Sequence, residues 1–128
     1  MRLLLDTHLL LWAAGEPKKL SAAARKLITN QRNALYFSTA SLWEIAIKRA
    51  LGRDDFRADP GVLRHGLLAG GYEELPITGD HAVAVGVLAA LHKDPFDRML
   101  VAQAAVEGMT LVTVDEQVAK YPGSIRHV

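Results

Sequence analysis

Four acidic residues, Asp6, Glu44, Asp97 and Asp115, stand where carboxylates could act together. Each has a local explanation when taken singly. Asp6 and Asp115 both follow short apolar runs and suit the cap of the helix that comes next. Glu44 lies three residues after Ser41 and four before Lys48, spacings that suit a capping box and a helical ion pair. Taken together they are harder to explain that way. Glu44 shares a helical stripe with Ala40, Ile47 and Leu51, and Asp97 begins the stripe Leu100, Val101, Ala104 and Ala105, so both point partly inward. Carboxylates crowded into one pocket repel, and in isolation some stay protonated at neutral pH. A hard divalent cation, Mg2+ or Mn2+, resolves the repulsion because it takes oxygen ligands and keeps several waters. Such a pocket activates water and stabilises charge on a phosphodiester during hydrolysis, so cleavage of a nucleic-acid backbone is the chemistry that fits.

Other chemistries lack their residues. The chain has no cysteine, which removes disulfides, thiolate metal sites and cysteine nucleophiles, and fits a cytoplasmic protein. No G-x-x-x-x-G-K, G-x-G-x-x-G or G-x-S-x-G loop is present. The five histidines are scattered with no H-x-x-x-H pair, so zinc is not expected. His92, close to Asp94 and Asp97, reads as a structural, hydrogen-bonding histidine. Trp12 and Trp43 fall in helical patterns beside apolar residues, as core or dimer contacts rather than base-stacking platforms. A formal charge of +1 points to no class of partner. Lys48, Arg49, Arg53, Arg57 and Arg64 alternate with Asp54, Asp55 and Asp59, as on a solvated face. The apolar start, Met1–Trp12, is interrupted by Asp6 and reads as neither a signal peptide nor a membrane span.

The elements that must position these acids follow from the apolar pattern. At 128 residues, half of them hydrophobic, the chain is expected to form one domain over 1–128 with a single sizeable core. Leu3–Leu5 reads as a strand buried on both faces, ending at Asp6. Helices are predicted from Asp6 or Thr7 to Ala14, Ala22 to about Asn30, Ser38–Ala50, Pro60–Leu68 and Asp80–Leu91, with a short turn of helix at Glu116–Lys120. Further strands are predicted at Leu35–Phe37, Tyr72–Ile77, Thr110–Val114 and Ser124–His127. Asp94 suits an N-cap, Pro95 the first helical position and Gly108 the end of that helix. Short strands alternating with helices predict an α/β sandwich with a mostly parallel sheet. In such sheets ligands bind outside the carboxyl ends of the strands, the edge where Asp6 and Asp115 emerge and near which Asp97 opens its helix.

Four blocks, LLLDTHLLLW, STASLWEIAIK, HKDPFDRMLVAQA and LVTVD, resemble those of a PIN domain, and more narrowly of a VapC-type toxin from a toxin–antitoxin pair. The resemblance runs from Leu3 to about Tyr121. It implies a three-layer α/β/α sandwich (PIN-like) and a Mg2+- or Mn2+-dependent endoribonuclease. It also implies an RNA substrate such as tRNA, a homodimer, and a small antitoxin covering the acidic groove. Asp6, Glu44 and Asp97 match the family's three central acids, and Asp115 the fourth position, where the family takes Asp or Asn. Asp6, Asp97 and Asp115 are the expected metal ligands. Thr7 and Thr113 match positions whose hydroxyls orient a carboxylate or a metal-bound water. Ser41 could do the same, and capping explains it equally well; Lys48 could steer a phosphate, and its helical pair with Glu44 is the simpler account. Asp94 is an additional acid in the D-P-F-D block, with the metal role assigned to Asp97 because Asp97 lies on the inward stripe. Two alternatives stand beside this reading. A non-catalytic PIN-like binding module would have lost an acid, and none is missing. A phosphoacceptor receiver domain would want paired acids after the first strand, where Asp6 stands alone.

Overall fold

The computed structural model describes all 128 residues. Five strands form one all-parallel sheet in the order β3-β2-β1-β4-β5, where β1 is Arg2–Leu5, β2 Ala34–Ser38, β3 Glu73–Leu75, β4 Thr110–Thr113 and β5 Ile125–His127. Leu3, Leu4 and Leu5 are wholly buried because β1 is the central strand, with β2 on one side and β4 on the other. Each such leucine contributes about 1.5–3 kcal/mol by burial.

Alternation along β1 divides the core into two layers. Leu3 and Leu5 pack with Leu9 and Leu10 of α1 (Thr7–Gly15), Ala24 of α2 (Ala22–Thr29), and Leu63 and Leu67 of α4 (Pro60–Ala69). Leu4 faces the opposite layer, with Leu100, Val101 and Ala104 of α6 (Pro95–Glu107) and Val118 of α7 (Glu116–Ala119). The third helix, α3 (Thr39–Ala50), gives Ile45 to the first cluster and Ala40 to the second. The result is the three-layer α/β/α arrangement, with a wholly parallel rather than a mostly parallel sheet. The chain leaves β1 toward β2 and β3, then returns to β4 on the other side, so the strand order reverses between β1 and β4. That reversal opens a crevice at the carboxyl ends of these two strands.

Most expected elements form within a residue or two of their predicted ends; three details differ. The helix predicted over Asp80–Leu91 is α5, which spans only Gly79–Val85. Beyond it the N–H groups of Gly86, Val87 and Leu88 bond only three residues back, to Val83, Ala84 and Val85. The Arg98 guanidinium of α6 donates to the carbonyls of Val85 and Ala89 at 3.2 and 2.9 Å, so the chain tightens off the α-helical path. Pro17–Lys19 forms a 3-10 turn that the sequence pattern did not indicate. The cap of α3 is Ser38, whose hydroxyl accepts from the Ala40 N–H at 3.0 Å, so Ser41 and Glu44 do not form a capping box. The predicted cap at Asp94 is present: its Oδ1 accepts from the N–H groups of Phe96 and Asp97 at 2.9 and 3.1 Å. At the other end of α6, Gly108 adopts φ 67°, the left-handed turn that glycine takes without strain.

Candidate active site

The sheet edge delivers the acids in order. The Asp6 N–H donates to the Val112 carbonyl at 3.0 Å, so the ladder between β1 and β4 extends to the residue that carries the first acid. The Asp6 carboxylate then caps α1, accepting from the Leu9 N–H at 3.0 Å on Oδ1. Its Oδ2 accepts from the Thr113 hydroxyl at 2.7 Å and the Val114 N–H at 2.9 Å. Burial pushes the Asp6 carboxyl above its ordinary value even though these three donors favour the ionised form. The buried Thr113 hydroxyl also accepts from the Asp115 N–H at 3.0 Å, tying the first and last acids to one side chain. Asp115 caps α7 through Oδ1, which accepts from Gln117 N–H at 2.8 Å, leaving Oδ2 toward the crevice.

Glu44 enters from α3, which crosses the edge of the sheet. It is almost fully buried, as are Thr7 and Ser41. The Thr7 hydroxyl donates to Glu44 Oε1 at 2.5 Å and lies 3.0 Å from Ser41 Oγ. Glu44 Oε2 accepts from the Lys48 ammonium one turn on, which also lies 3.4 Å from Asp94 Oδ2. Burial works against the charge on Lys48, but Glu44 and Asp94 outweigh it and hold the ammonium above its ordinary pKa. The Lys48 ammonium sits 4.8 Å from the centre of the Phe56 ring.

Asp97, in the first turn of α6, completes the group. Burial, then repulsion from Asp94 and from Glu44, push its carboxyl up to about 6, against a hydrogen bond to His92. His92 Nε2 lies 2.8 Å from Asp97 Oδ2 and 3.7 Å from Asp115 Oδ2. His92 is thus a hydrogen-bonding histidine as expected, but its partners are two of the candidate site acids. Proximity to Asp94 and Asp97 in the sequence was the one signal for this.

All four predicted acids border one cleft of about 220 Å3, together with Thr7, Lys48, His92 and Asp94, and no hydrophobic side chain lines it. Ser41 and Thr113 stand behind its wall, fully buried. Larger hollows of about 320, 450 and 370 Å3 elsewhere contain no carboxylate. The basic residues at the end of α3 and beyond it are mostly ion-paired with nearby acids: Arg49 with Asp59, Arg53 with Asp55, Arg57 with Asp54. They form an ion-paired surface, from which Arg53 reaches the rim of the cleft.

The donor set fits a divalent cation. Five carboxylates line the cleft, and Lys48 is the one ammonium in contact with them. One oxygen each from Asp97 and Asp115 and a ring nitrogen of His92 lie within 4.8 Å of one another. Asp6 and Glu44 border the same space without joining that closest set. Oxygen-rich, negatively charged and partly solvated, the cleft matches what Mg2+ or Mn2+ takes.

Comparison with known proteins agrees with this architecture. No curated protein sequence matches the chain. Among solved structures, a chain of VapBC2 from Rickettsia felis, crystallised with a DNA fragment from its promoter, superposes with a TM-score of 0.70 at 18% identity, covering 99% of this chain and 98% of that one. DNA-bound VapBC from Salmonella typhimurium gives 0.64 at 18% identity, covering 100% and 97%. VapBC-1 from nontypeable Haemophilus influenzae gives 0.63 at 17%, covering 99% and 98%. At such identities the likeness is one of fold. The sequence model of the PIN domain matches residues 3–124, from the first buried leucine of β1 to the threshold of β5 and across every acid of the cleft. The chain belongs to the PIN domain family.

Proposed function

We propose that this protein is a metal-dependent endoribonuclease and the toxin of a type II toxin–antitoxin pair. The observation that carries the nuclease reading is the convergence of Asp6, Glu44, Asp97 and Asp115 on one wholly polar cleft at the strand-order reversal. The toxin reading is supported by a fold shared along nearly the full length of chains from three VapBC complexes.

Asp6, Asp97 and Asp115 are the residues that would hold Mg2+ or Mn2+. When bound, such an ion polarises the scissile phosphate and acidifies a water. The chain's own residues fix where this happens. Thr113 aims Asp6 and Asp115 together, because one hydroxyl contacts the carboxylate of the first and the N–H of the second. Thr7 and Lys48 clamp Glu44 from its two oxygens, so this carboxylate is positioned to orient the attacking water. Lys48, partly exposed between Glu44 and Asp94, offers positive charge to a phosphodiester entering the cleft.

The partner chemistry follows from the same charge. A small antitoxin that inserts a basic side chain among the carboxylates would replace the cation in bidentate geometry. A homodimer is supported by the apolar surface around Trp43, which is 59% exposed and forms a hollow with Ile77, Phe96 and Met99. No helix is long and apolar enough to cross a membrane.

The test is cleavage of a mixed RNA pool, including tRNA, by protein freed of any bound partner. Mg2+, Mn2+ and EDTA are compared for the wild type, Asp6→Asn and Asp97→Asn. The expected result is metal-dependent cleavage, lost with EDTA and in both variants. Well-folded protein that cleaves nothing with either metal would overturn the proposal in favour of a binding module.

A further inference from the structure

We infer that His92 supplies a nitrogen ligand to the divalent cation of this cleft, making it a mixed imidazole–carboxylate centre that prefers a transition-metal ion to Mg2+. The inference rests on the metal-dependent reading above and concerns which side chains hold the ion and which ion they select.

The geometry is the first argument. His92 Nε2 lies 2.8 and 3.7 Å from oxygens of Asp97 and Asp115. Around an ion with donors at about 2.1 Å, adjacent ligands are about 3 Å apart and opposite ones about 4.2 Å apart. The 3.7 Å separation from Asp115 falls between these two spacings, the 2.8 Å separation from Asp97 is close to the shorter one, and the three atoms lie within 4.8 Å of one another. The second argument is how His92 is held. Its backbone N–H donates at 3.1 Å to the Tyr121 hydroxyl, which also accepts from Arg98 at 2.9 Å. Tyr121 is buried, and Arg98 belongs to the same helix as Asp97. Histidine and acid are therefore fixed to one frame although they lie on different segments. Coordination through Nε2 uses the tautomer with its proton on Nδ1, and the ion takes the place of the hydrogen bond between His92 and Asp97. Imidazole nitrogen favours first-row transition metals, whereas Mg2+ favours oxygen.

The experiment is electron spin-echo spectroscopy of the Mn2+-loaded protein, joined to calorimetric titration with Co2+ and Mg2+. We expect nitrogen-14 modulation on the Mn2+ signal that persists in His8→Gln, a second histidine bordering the cleft, and disappears in His92→Gln. The preference for Co2+ over Mg2+ should fall at least about tenfold in His92→Gln. Mn2+ that binds and is lost in Asp97→Asn, but shows no nitrogen modulation, would mean that His92 only hydrogen-bonds Asp97, and would overturn the inference alone. Modulation that survives in His92→Gln would overturn it too. Absence of saturable Mn2+ binding by the wild type would remove the metal-dependent reading together with this one.

Discussion

Replacing Asp97 by asparagine is expected to stabilise the metal-free protein at pH 8 while abolishing cleavage. In the folded protein the carboxyl is pushed from 3.8 up to about 6 by burial and by the charges of Asp94 and Glu44. The direction is opposite to that of a salt-bridged acid. As pH rises, the unfolded chain releases this proton first, so folding stability falls between about pH 4 and pH 6 and stays lower above that range. Taken whole, the gap corresponds to about 3 kcal/mol. Asp97 is 19% exposed and asparagine can keep the contact to His92, so about 1–2 kcal/mol is the expected gain. For 128 residues that is a rise in Tm of about 4–8 °C. Thermal melts in EDTA would compare wild type and Asp97→Asn at pH 8 and at about pH 4.5. The gain should be present at pH 8, close at the lower pH, and shrink at pH 8 when Mg2+ or Mn2+ stabilises the wild type by binding its folded state. Asparagine that destabilises at pH 8, or an offset equal at both pH values, would refute the picture of Asp97 as an acid held against its own preference.

Three further substitutions separate the site from the frame that carries it. Thr113→Val removes a donor to Asp6 and leaves the Asp115 N–H without its acceptor, so denaturant unfolding should show a loss of about 1–3 kcal/mol and cleavage should fall at least about tenfold. Lys48→Gln takes the ammonium from Glu44 and Asp94; steady-state kinetics should show a rise in KM for RNA larger than the fall in kcat. Gly108→Ala forces a side chain into φ 67° and should cost about 1 kcal/mol in denaturant unfolding, with cleavage per folded molecule unchanged.

What the sequence made legible was local. A leucine run that stops at an acid marks both a central strand and its carboxyl end, and Asp94-Pro95 with Gly108 brackets α6 whatever surrounds it. What it concealed depends on partners far along the chain. Gln103 is fully buried on α6, yet it is held by the Ser38 hydroxyl at 2.5 Å, sixty-five residues away, and by the Pro76 carbonyl at 3.5 Å. Neither partner has a periodic relation to it. Ser38 and Ser41 stand in one short polar stretch, and either could cap α3; only the approach of Thr7 shows that Ser41 belongs behind the site. In Asp80–Leu91, Gly86 marked a possible stop directly after Val85, but the apolar run resumes beyond it. Nothing local shows that Arg98 of the next helix donates to the carbonyls of Val85 and Ala89.

The threonines show how far reading by neighbourhood can go. Thr7 and Thr113 are recognisable as hydroxyls close in sequence to acids, and both do contact acids. Thr7, however, follows Asp6 and serves Glu44, while Thr113 precedes Asp115 and donates to Asp6. Each hydroxyl reaches the carboxylate of another element. The arrangement braces α3 against α1 and β4 against β1 through the very groups that repel one another, so the spacing of the acids is set by the packing of the sheet edge. An acid moved by losing its threonine therefore shifts relative to its neighbours as well as to solvent. That is why a buried hydroxyl behind the cleft, with no access to substrate, is expected to matter to cleavage.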